Sequence, residues 1–227
     1  MNNIFTKQAP PSWGPDAVTL TTAGITAVIL LAAVFLTASL VFRPKEERTA
    51  RLTTKQLVFS AAAMALGIVT SMIKFLNLPM GGSITLFSML FITLIGYWYG
   101  PRTGLTAAAA YGLLQFILEP IFFTLPQVII DYPLAFGALG LSGFFSRRKN
   151  GLVYGYIAGV LGRYFFSFWS GMIFFGAYAA DYHMAVPVYS LLYNAMYLIP
   201  EAVLTVMLLS LAPVKQSFFR VKQTAAE

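Results

Sequence analysis

Three ionisable side chains interrupt long apolar stretches, and their types suggest ligand binding more than catalysis. Asp131 lies in PQVIIDYPLAFGALGLSGFF, Arg163 lies in GRYFFSFWSGMIFF, and Glu201 lies in NAMYLIPEAVL. Because a charge within membrane hydrocarbon is costly, such residues face a cavity or pair with one another. We therefore expect Asp131 to face a binding cavity, and Arg163 to form a structural ion pair with Glu201 or Asp131.

The neighbours of these charges repeat at helical spacing. At 100° per residue, polar and aromatic side chains share one face on each of three helices. These faces hold Gln127 and Asp131; Arg163, Ser167, Ser170, Gly171 and Phe174; and Tyr193, Asn194, Tyr197 and Glu201. Hydrogen bonds between helices, worth about 1 kcal/mol each, are one explanation. The number of converging groups favours the other, which is a ligand cavity open to the outside.

The expected cavity is acidic and aromatic. A carboxylate with aromatic rings suits a small, planar, cationic ligand, through charge, stacking and cation–π contact. Tyr189 and Asn194 could read ring nitrogens or hydroxyl groups. The sequence has no cysteine, one histidine, and no Walker A, GxSxG or HExxH motif. We therefore expect no enzymatic activity, no catalytic residue, no metal site and no cofactor.

The composition indicates the environment of these helices. Of the 227 residues, 58% are hydrophobic and 10% are charged. Soluble domains carry roughly 25% charged residues, so most of this surface must meet a lipid bilayer. The net charge of +7 is explained better by membrane topology than by nucleic-acid binding. The chain is predicted to be a multi-pass protein of a prokaryotic plasma membrane.

Apolar runs and basic clusters predict an all-α membrane protein with seven spans. The spans are expected at 17–42, 54–73, 83–99, 103–119, 126–145, 151–175 and 187–212. Basic residues fall on alternate connections, which predicts the amino terminus outside and the carboxyl terminus inside. The predicted organisation is an amino-terminal tail with an additional transmembrane helix (1–42), a charged cytoplasmic linker (43–53), a six-helix substrate-binding unit (54–214) and a cytoplasmic tail (215–227).

The first helix of the six-helix unit carries small residues at four-residue spacing. Ala61 and Ala65 form one such pair, and Ala63 and Gly67 form another. Small residues at this spacing let helices approach closely. Packing within the protein is the simpler interpretation, and docking to another membrane subunit is the more specific one.

Residues 54–212 resemble a known family, the substrate-binding S components of energy-coupling factor (ECF) vitamin transporters, specifically the ThiT thiamine group. Four stretches carry the resemblance: YGPRTGLTAAAAYGLLQF, PQVIIDYPLAFGALGLSGFF, RYFFSFWSGMIFFGAYA and VYSLLYNAMYLIPE. The resemblance implies a six-helix subunit that binds thiamine from outside. It also implies a transmembrane coupling subunit and two ATPase subunits as partners, with Ala61 and Ala65 as the docking motif.

The same resemblance implies the substrate-binding residues. They are Asp131, Tyr132, Ser167, Gly171, Phe175, Tyr189 and Asn194. Members usually have His at the position of Ser167, and some have Trp at the position of Phe175. A thiamine precursor or another small aromatic cation therefore stays open as the ligand. A stand-alone proton-coupled carrier and a non-transporting scaffold are the alternatives from other functional classes.

Overall fold

The computed structural model describes residues 4–8, 18–27, 29–30, 53–78 and 82–226. Most of them are helical. The helices are α1 (Thr54–Ser71), α2 (Ser88–Tyr99), α3 (Pro101–Leu118), α4 (Leu125–Phe145), α5 (Gly151–Phe174), α6 (Val186–Ser210) and α7 (Ala212–Ala226). Two antiparallel hairpins join β1 (Thr6–Gln8) to β2 (Val18–Leu20) and β3 (Lys74–Asn77) to β4 (Ser83–Thr85). A short 3₁₀ helix, Gly176–Tyr182, precedes α6.

Four of the described helices are long and apolar enough to cross a membrane, namely α1, α4, α5 and α6. Helix α2 is apolar but has only 12 residues. The predicted span 83–99 is therefore wrong at its start, because Ser83–Thr85 pairs as a strand. In the predicted first span, residues 18–20 form a strand, and residues 22–27 and 29–30 are helical. Thr21 connects the two, and the other residues of that span, with residues 43–52 of the predicted linker, lie outside the described residues.

Helix α4 changes its winding along its length. It begins as an α-helix, becomes a π-helix over Ile130–Leu134, and ends as a 3₁₀ helix over Ala138–Phe145. Pro133 lies inside the π segment, where its missing N–H and its ring disfavour a regular helical turn. Such π segments often occur at functional sites. This one places Asp131 on an irregular turn.

The 3₁₀ part of α4 packs tightly between α2, α3 and α5. Gly140 and Gly104 allow this close packing, because the helix backbones touch directly where the helices cross. A Cβ at Gly140 would lie 2.3 Å from the Leu105 nitrogen, and one at Gly104 would lie 2.5 Å from the Gly96 Cα. These distances exclude any side chain, so the glycines set the spacing of the three helices.

One end of the helical bundle is basic. We call it the basic end. It comprises the starts of α1, α3 and α5 and the whole of α7. Its cations are Lys55, Arg102, Arg147, Arg148, Lys149, Lys215, Arg220 and Lys222. Helix α7 is attached there by Lys222, which donates to the Ser146 carbonyl and lies 3.8 Å from the Tyr97 ring centroid. Burial lowers the pKa of Lys222. The opposite end, which carries the β3–β4 hairpin, is called the open end.

Candidate functional site

A cavity of about 490 Å³ lies within the bundle toward the open end. Its walls come from the end of α1, the β3–β4 hairpin, the end of α3, and from α4, α5 and α6. It brings together all the residues that the sequence nominated for substrate binding or ion pairing. These are Asp131, Tyr132, Arg163, Ser167, Gly171, Phe175, Tyr189, Asn194 and Glu201.

The Asp131 carboxylate is oriented by its own helix. Oδ2 accepts a hydrogen bond of 2.6 Å from Nε2 of Gln127, one turn earlier. Nε2 also donates to the Ile121 carbonyl at 3.1 Å, and the Gln127 Oε1 accepts from the Phe123 nitrogen at 3.1 Å. Asp131 is therefore linked through one amide to the loop between α3 and α4, which borders the cavity at the open end.

Tyr132 is a second link to this loop. Its hydroxyl donates to the Glu119 carbonyl at 2.8 Å and accepts from the Ile121 nitrogen at 2.9 Å. Its ring stacks on Phe136 with 6.5 Å between the ring centroids. With the hydroxyl committed to the backbone, the ring is the part of Tyr132 that remains for a ligand.

The predicted ion pair of Arg163 is not formed. No carboxylate oxygen of the described residues lies within 4 Å of its guanidinium. Arg163 instead lies 3.9 Å from the centroid of the Phe136 ring, in cation–π geometry. The Arg163 guanidinium thus faces the Phe136 ring, which lines the cavity. Glu201 bonds to other partners.

Glu201 caps the amino terminus of α2. Its Oε1 accepts from the Met89 nitrogen at 3.1 Å and from Ser88 Oγ at 3.2 Å, and its Oε2 accepts from Thr85 Oγ1 at 2.6 Å. Residue Phe87 at the helix start provides no side-chain cap. A carboxylate suits this place because exposed N–H groups and the helix dipole favour negative charge. Glu201 does not pair with Arg163 because both of its oxygens are already bonded at the start of α2.

Asn194 and Gly171 belong to the interface between α5 and α6. Asn194 Nδ2 donates to the Ser190 carbonyl at 2.8 Å and to the Ser167 carbonyl at 3.2 Å, while Oδ1 accepts from the Tyr197 hydroxyl at 2.7 Å. A Cβ at Gly171 would lie 2.2 Å from Ser190 Oγ. Gly171 therefore allows close packing, and the Asn194 amide is already bonded to protein.

Aromatic rings form a row along α6 toward the open end. Tyr182, Tyr189 and Tyr193 are stacked in sequence, with centroid separations of 5.4 and 5.8 Å. Tyr197 follows at 5.9 Å with its edge toward Tyr193. Phe175, which also lines the cavity, packs its ring against that of Phe123, with 5.2 Å between the centroids. The cavity thus combines aromatic surface with its charged groups.

The family model for "Thiamine transporter protein (Thia_YuaJ)" matches residues 57–220, the region that contains the bundle and the cavity. The chain belongs to this family. Thiamine transporter ThiT of Bacillus subtilis (strain 168) is 36% identical over 168 residues, which cover 68% of this chain and 85% of that protein. Thiamine transporter ThiT of Lacticaseibacillus paracasei is 35% identical over 137 residues, covering 49% of this chain and 68% of that protein.

A solved structure of ThiT from Listeria monocytogenes has the same fold. It aligns with a TM-score of 0.54 and 24% identity over 70% of this chain and 93% of that chain. Together with the apolar helices, this confirms an all-α membrane fold. The predicted family and the predicted location, a multi-pass protein of the bacterial cell membrane, are confirmed as well.

Several cavity residues of this member of the thiamine transporter family were not predicted from the sequence. Gln115 lines the cavity and donates to Ser71 Oγ at 2.9 Å, and Thr85 and Ser88 line it beside Glu201. Gln115 could have been noticed as an amide within the apolar run AAAAYGLLQF. Thr85 and Ser88 gave no such signal, because the run 83–99 was interpreted as one continuous helix. Ser170, which the sequence placed on the same helix face as Arg163, also lines the cavity, and its hydroxyl lies beside the Asp131 carboxylate.

Proposed function

We propose that this protein binds thiamine from outside the cell and is the membrane-embedded subunit of an ATP-driven vitamin importer. The observation that carries the proposal is the cavity of about 490 Å³, which Asp131 lines together with several aromatic rings. Thiamine is a cation with two planar aromatic rings, and such ligands are favoured by a carboxylate and by stacked rings. The names of the related transporters point to the same vitamin.

Each nominated residue has a proposed role. Asp131 supplies the counter-charge, and the rings of Tyr132, Phe175 and Tyr189 supply stacking surface. Ser167 lines the cavity where relatives are expected to carry His, and it offers a smaller hydrogen-bonding group there. Asn194 and Gly171 shape the wall through their packing contacts.

Equilibrium binding to the purified protein tests this proposal. Thiamine, its phosphates and its pyrimidine precursor would be titrated by calorimetry against wild type, Asp131→Asn and Asp181→Asn. Asp181 is the matched control, since it is an exposed aspartate that does not line the cavity. We expect micromolar or tighter binding of thiamine. Asp131→Asn should weaken it at least tenfold, about 1.4 kcal/mol, and Asp181→Asn less than twofold.

The ligand titration also decides between substrates. If the protein bound the pyrimidine precursor in preference to thiamine, the precursor would be the proposed substrate. The rest of the proposal would be unchanged. No binding of any of these compounds at micromolar concentration would refute the proposed ligand class.

We further propose that transport depends on an ECF coupling subunit and two ATPase subunits. The face of α1 with Ala61 and Ala65 supports this, because both side chains are exposed while Ala63 and Gly67 pack inward. A bulky Ala65→Trp should abolish co-purification with the coupling subunit, whereas Ile117→Trp on exposed α3 surface should not. Thiamine uptake into liposomes by this chain alone, driven by a pH gradient, would favour the stand-alone carrier instead.

The proposed orientation places the basic end in the cytoplasm and the open end outside, with seven spans in total. The concentration of lysine and arginine at one end supports it, following the positive-inside rule. A reporter fused after Glu227 should be active only in the cytoplasm. Activity on the outside would reverse this topology.

A further inference from the structure

We propose that Gln127 is a positioning residue, which holds the Asp131 carboxylate in a fixed orientation as the counter-charge for a cationic ligand. The inference rests on the proposed function, since it takes Asp131 as the counter-charge for the ligand. It goes beyond that function because it assigns the selectivity for a cationic ligand to Gln127 and Asp131, together with the loop that borders the cavity.

The surroundings of the Gln127 amide allow only one orientation. The side chain is fully buried, with 0% exposure. The Phe123 N–H can only donate, so it requires Oε1, and the Ile121 carbonyl can only accept, so it requires Nε2. The second Nε2 hydrogen then points to Asp131 Oδ2, at 2.6 Å. A flipped amide would lose all three bonds at once.

Because the Gln127 amide is fixed as a donor, it determines the form and the orientation of the Asp131 carboxyl group. Oδ2 must offer a lone pair to Gln127, so the bond stabilises the carboxylate form over an acid with its proton on Oδ2. The bond also restricts rotation of the carboxylate about its Cβ–Cγ bond. The cost of ordering this side chain is met in the free protein and not on ligand binding, which favours affinity.

The loop between α3 and α4 keeps Gln127 in place. Its backbone supplies two of the three partners of the amide, and Tyr132 anchors the same loop through Glu119 and Ile121. Thr124 Oγ1 accepts from the Gln127 backbone nitrogen at 3.3 Å, which caps the start of α4. Loop, amide and carboxylate therefore form one hydrogen-bonded unit at the open end.

A purely structural amide would affect all ligands alike, whereas a positioning amide affects the cation selectively. The test compares thiamine with its uncharged aminopyrimidine half, both titrated by calorimetry against wild type and Gln127→Met. We expect thiamine affinity to fall about tenfold and aminopyrimidine affinity to change less than twofold. Gln115→Met is the matched control, because it removes another buried amide of the same cavity that does not contact Asp131. Its effect on the two ligands should be equal.

The outcomes separate this inference from the proposed function. If wild type binds thiamine and Asp131→Asn weakens it, but Gln127→Met weakens both ligands equally, the positioning role is refuted and the function stands. If wild type binds neither ligand, the proposed function itself fails. Should Gln127→Met not yield folded protein, Gln127→Asn serves instead. Its amide is one methylene too short to bridge loop and carboxylate, and equal loss of both ligands would again refute the inference.

Discussion

The two ends of the helical bundle are built from different kinds of contact. At the open end, helices diverge around a cavity of about 490 Å³, and polar side chains bond across the gaps. Toward the basic end, the backbones of α2, α3 and the 3₁₀ part of α4 touch directly, as at Gly104 and Gly140. Helices α3 and α4 thus pack backbone against backbone toward the basic end and line the cavity toward the open end.

This difference assigns separate tasks to the two ends. A hydrogen bond between side chains can be exchanged for one to a ligand at small net cost, since its net worth is about 1 kcal/mol. A backbone contact without side chains has no such alternative, and it tolerates no added atom. We therefore expect the glycine crossing to determine stability, and the polar contacts at the open end to determine ligand binding and release.

The largest effect should come from the glycine crossing. In Gly140→Ala, the new Cβ would lie 2.3 Å from the Leu105 nitrogen and 2.4 Å from the Gly104 carbonyl carbon. Backbone atoms cannot rotate away, so we expect a loss of about 3 kcal/mol in stability. Thermal unfolding in detergent would measure it.

The control for this substitution adds bulk on the outside of α3, the helix that Gly140 contacts. Ala110 is exposed on α3, and Ala110→Leu should change stability by less than about 0.5 kcal/mol. If Gly140→Ala unfolded at the same temperature as Ala110→Leu, the basic end would not be the rigid part of the bundle.

The next effect concerns the cap on α2. Glu201→Leu would leave Thr85, Ser88 and the Met89 nitrogen without their acceptor. Cavity water can replace part of these bonds, so we expect a loss of about 2 kcal/mol, within the range for unsatisfied buried donors. Glu201→Gln keeps an acceptor oxygen and should lose about half as much. Equal stability of Glu201→Leu and wild type, in thermal unfolding, would exclude the cap as a stabilising contact.

The charged residues of this site could be predicted from the sequence, but their partners could not. A charge within an apolar run is rare enough to identify Asp131, Arg163 and Glu201 individually. Which of them pair depends on helix rotation and on where α2 begins. The strand Ser83–Thr85 occupies the start of the apolar run 83–99, so that α2 begins only at Ser88, beside Glu201. The hydropathy of the run does not reveal this strand.

The fold shows the same limit. Apolar runs located the helices of the core within a few residues, because the thickness of the bilayer sets their length. The winding of α4 could not be predicted in this way. Pro133 marks an irregularity, but the π segment also needs the neighbouring helices that hold the widened turn.

A smaller effect, on kinetics, should come from the hairpin over the cavity. The Gly82 nitrogen donates to the Tyr193 hydroxyl at 2.9 Å, which ties the hairpin to α6. Tyr193→Phe removes the acceptor, and we expect stability to fall by about 1 kcal/mol or less and thiamine release to accelerate about fivefold. Stopped-flow fluorescence would follow release. Tyr164→Phe is the control, because the Tyr164 hydroxyl donates to the Leu191 carbonyl. Neither Tyr164 nor Leu191 lines the cavity. If both variants released thiamine at the same rate, the contact between the hairpin and α6 would not control release.

The smallest effect is expected at the ion pair of the open end. Lys74 Nζ lies 2.5 Å from Glu119 Oε1, with side chains 26% and 54% exposed. Exposed pairs are worth little, because water screens the charges and both side chains lose freedom, so Lys74→Ala should cost about 0.5 kcal/mol or less. Its effect on thiamine affinity should depend on salt, since removing a cation from the cavity rim favours entry of a cationic ligand. Affinity measured at low and high salt would test this: a gain at low salt that vanishes at high salt is expected. A stability loss as large as that of Gly140→Ala would mean that the open end, too, is held rigidly.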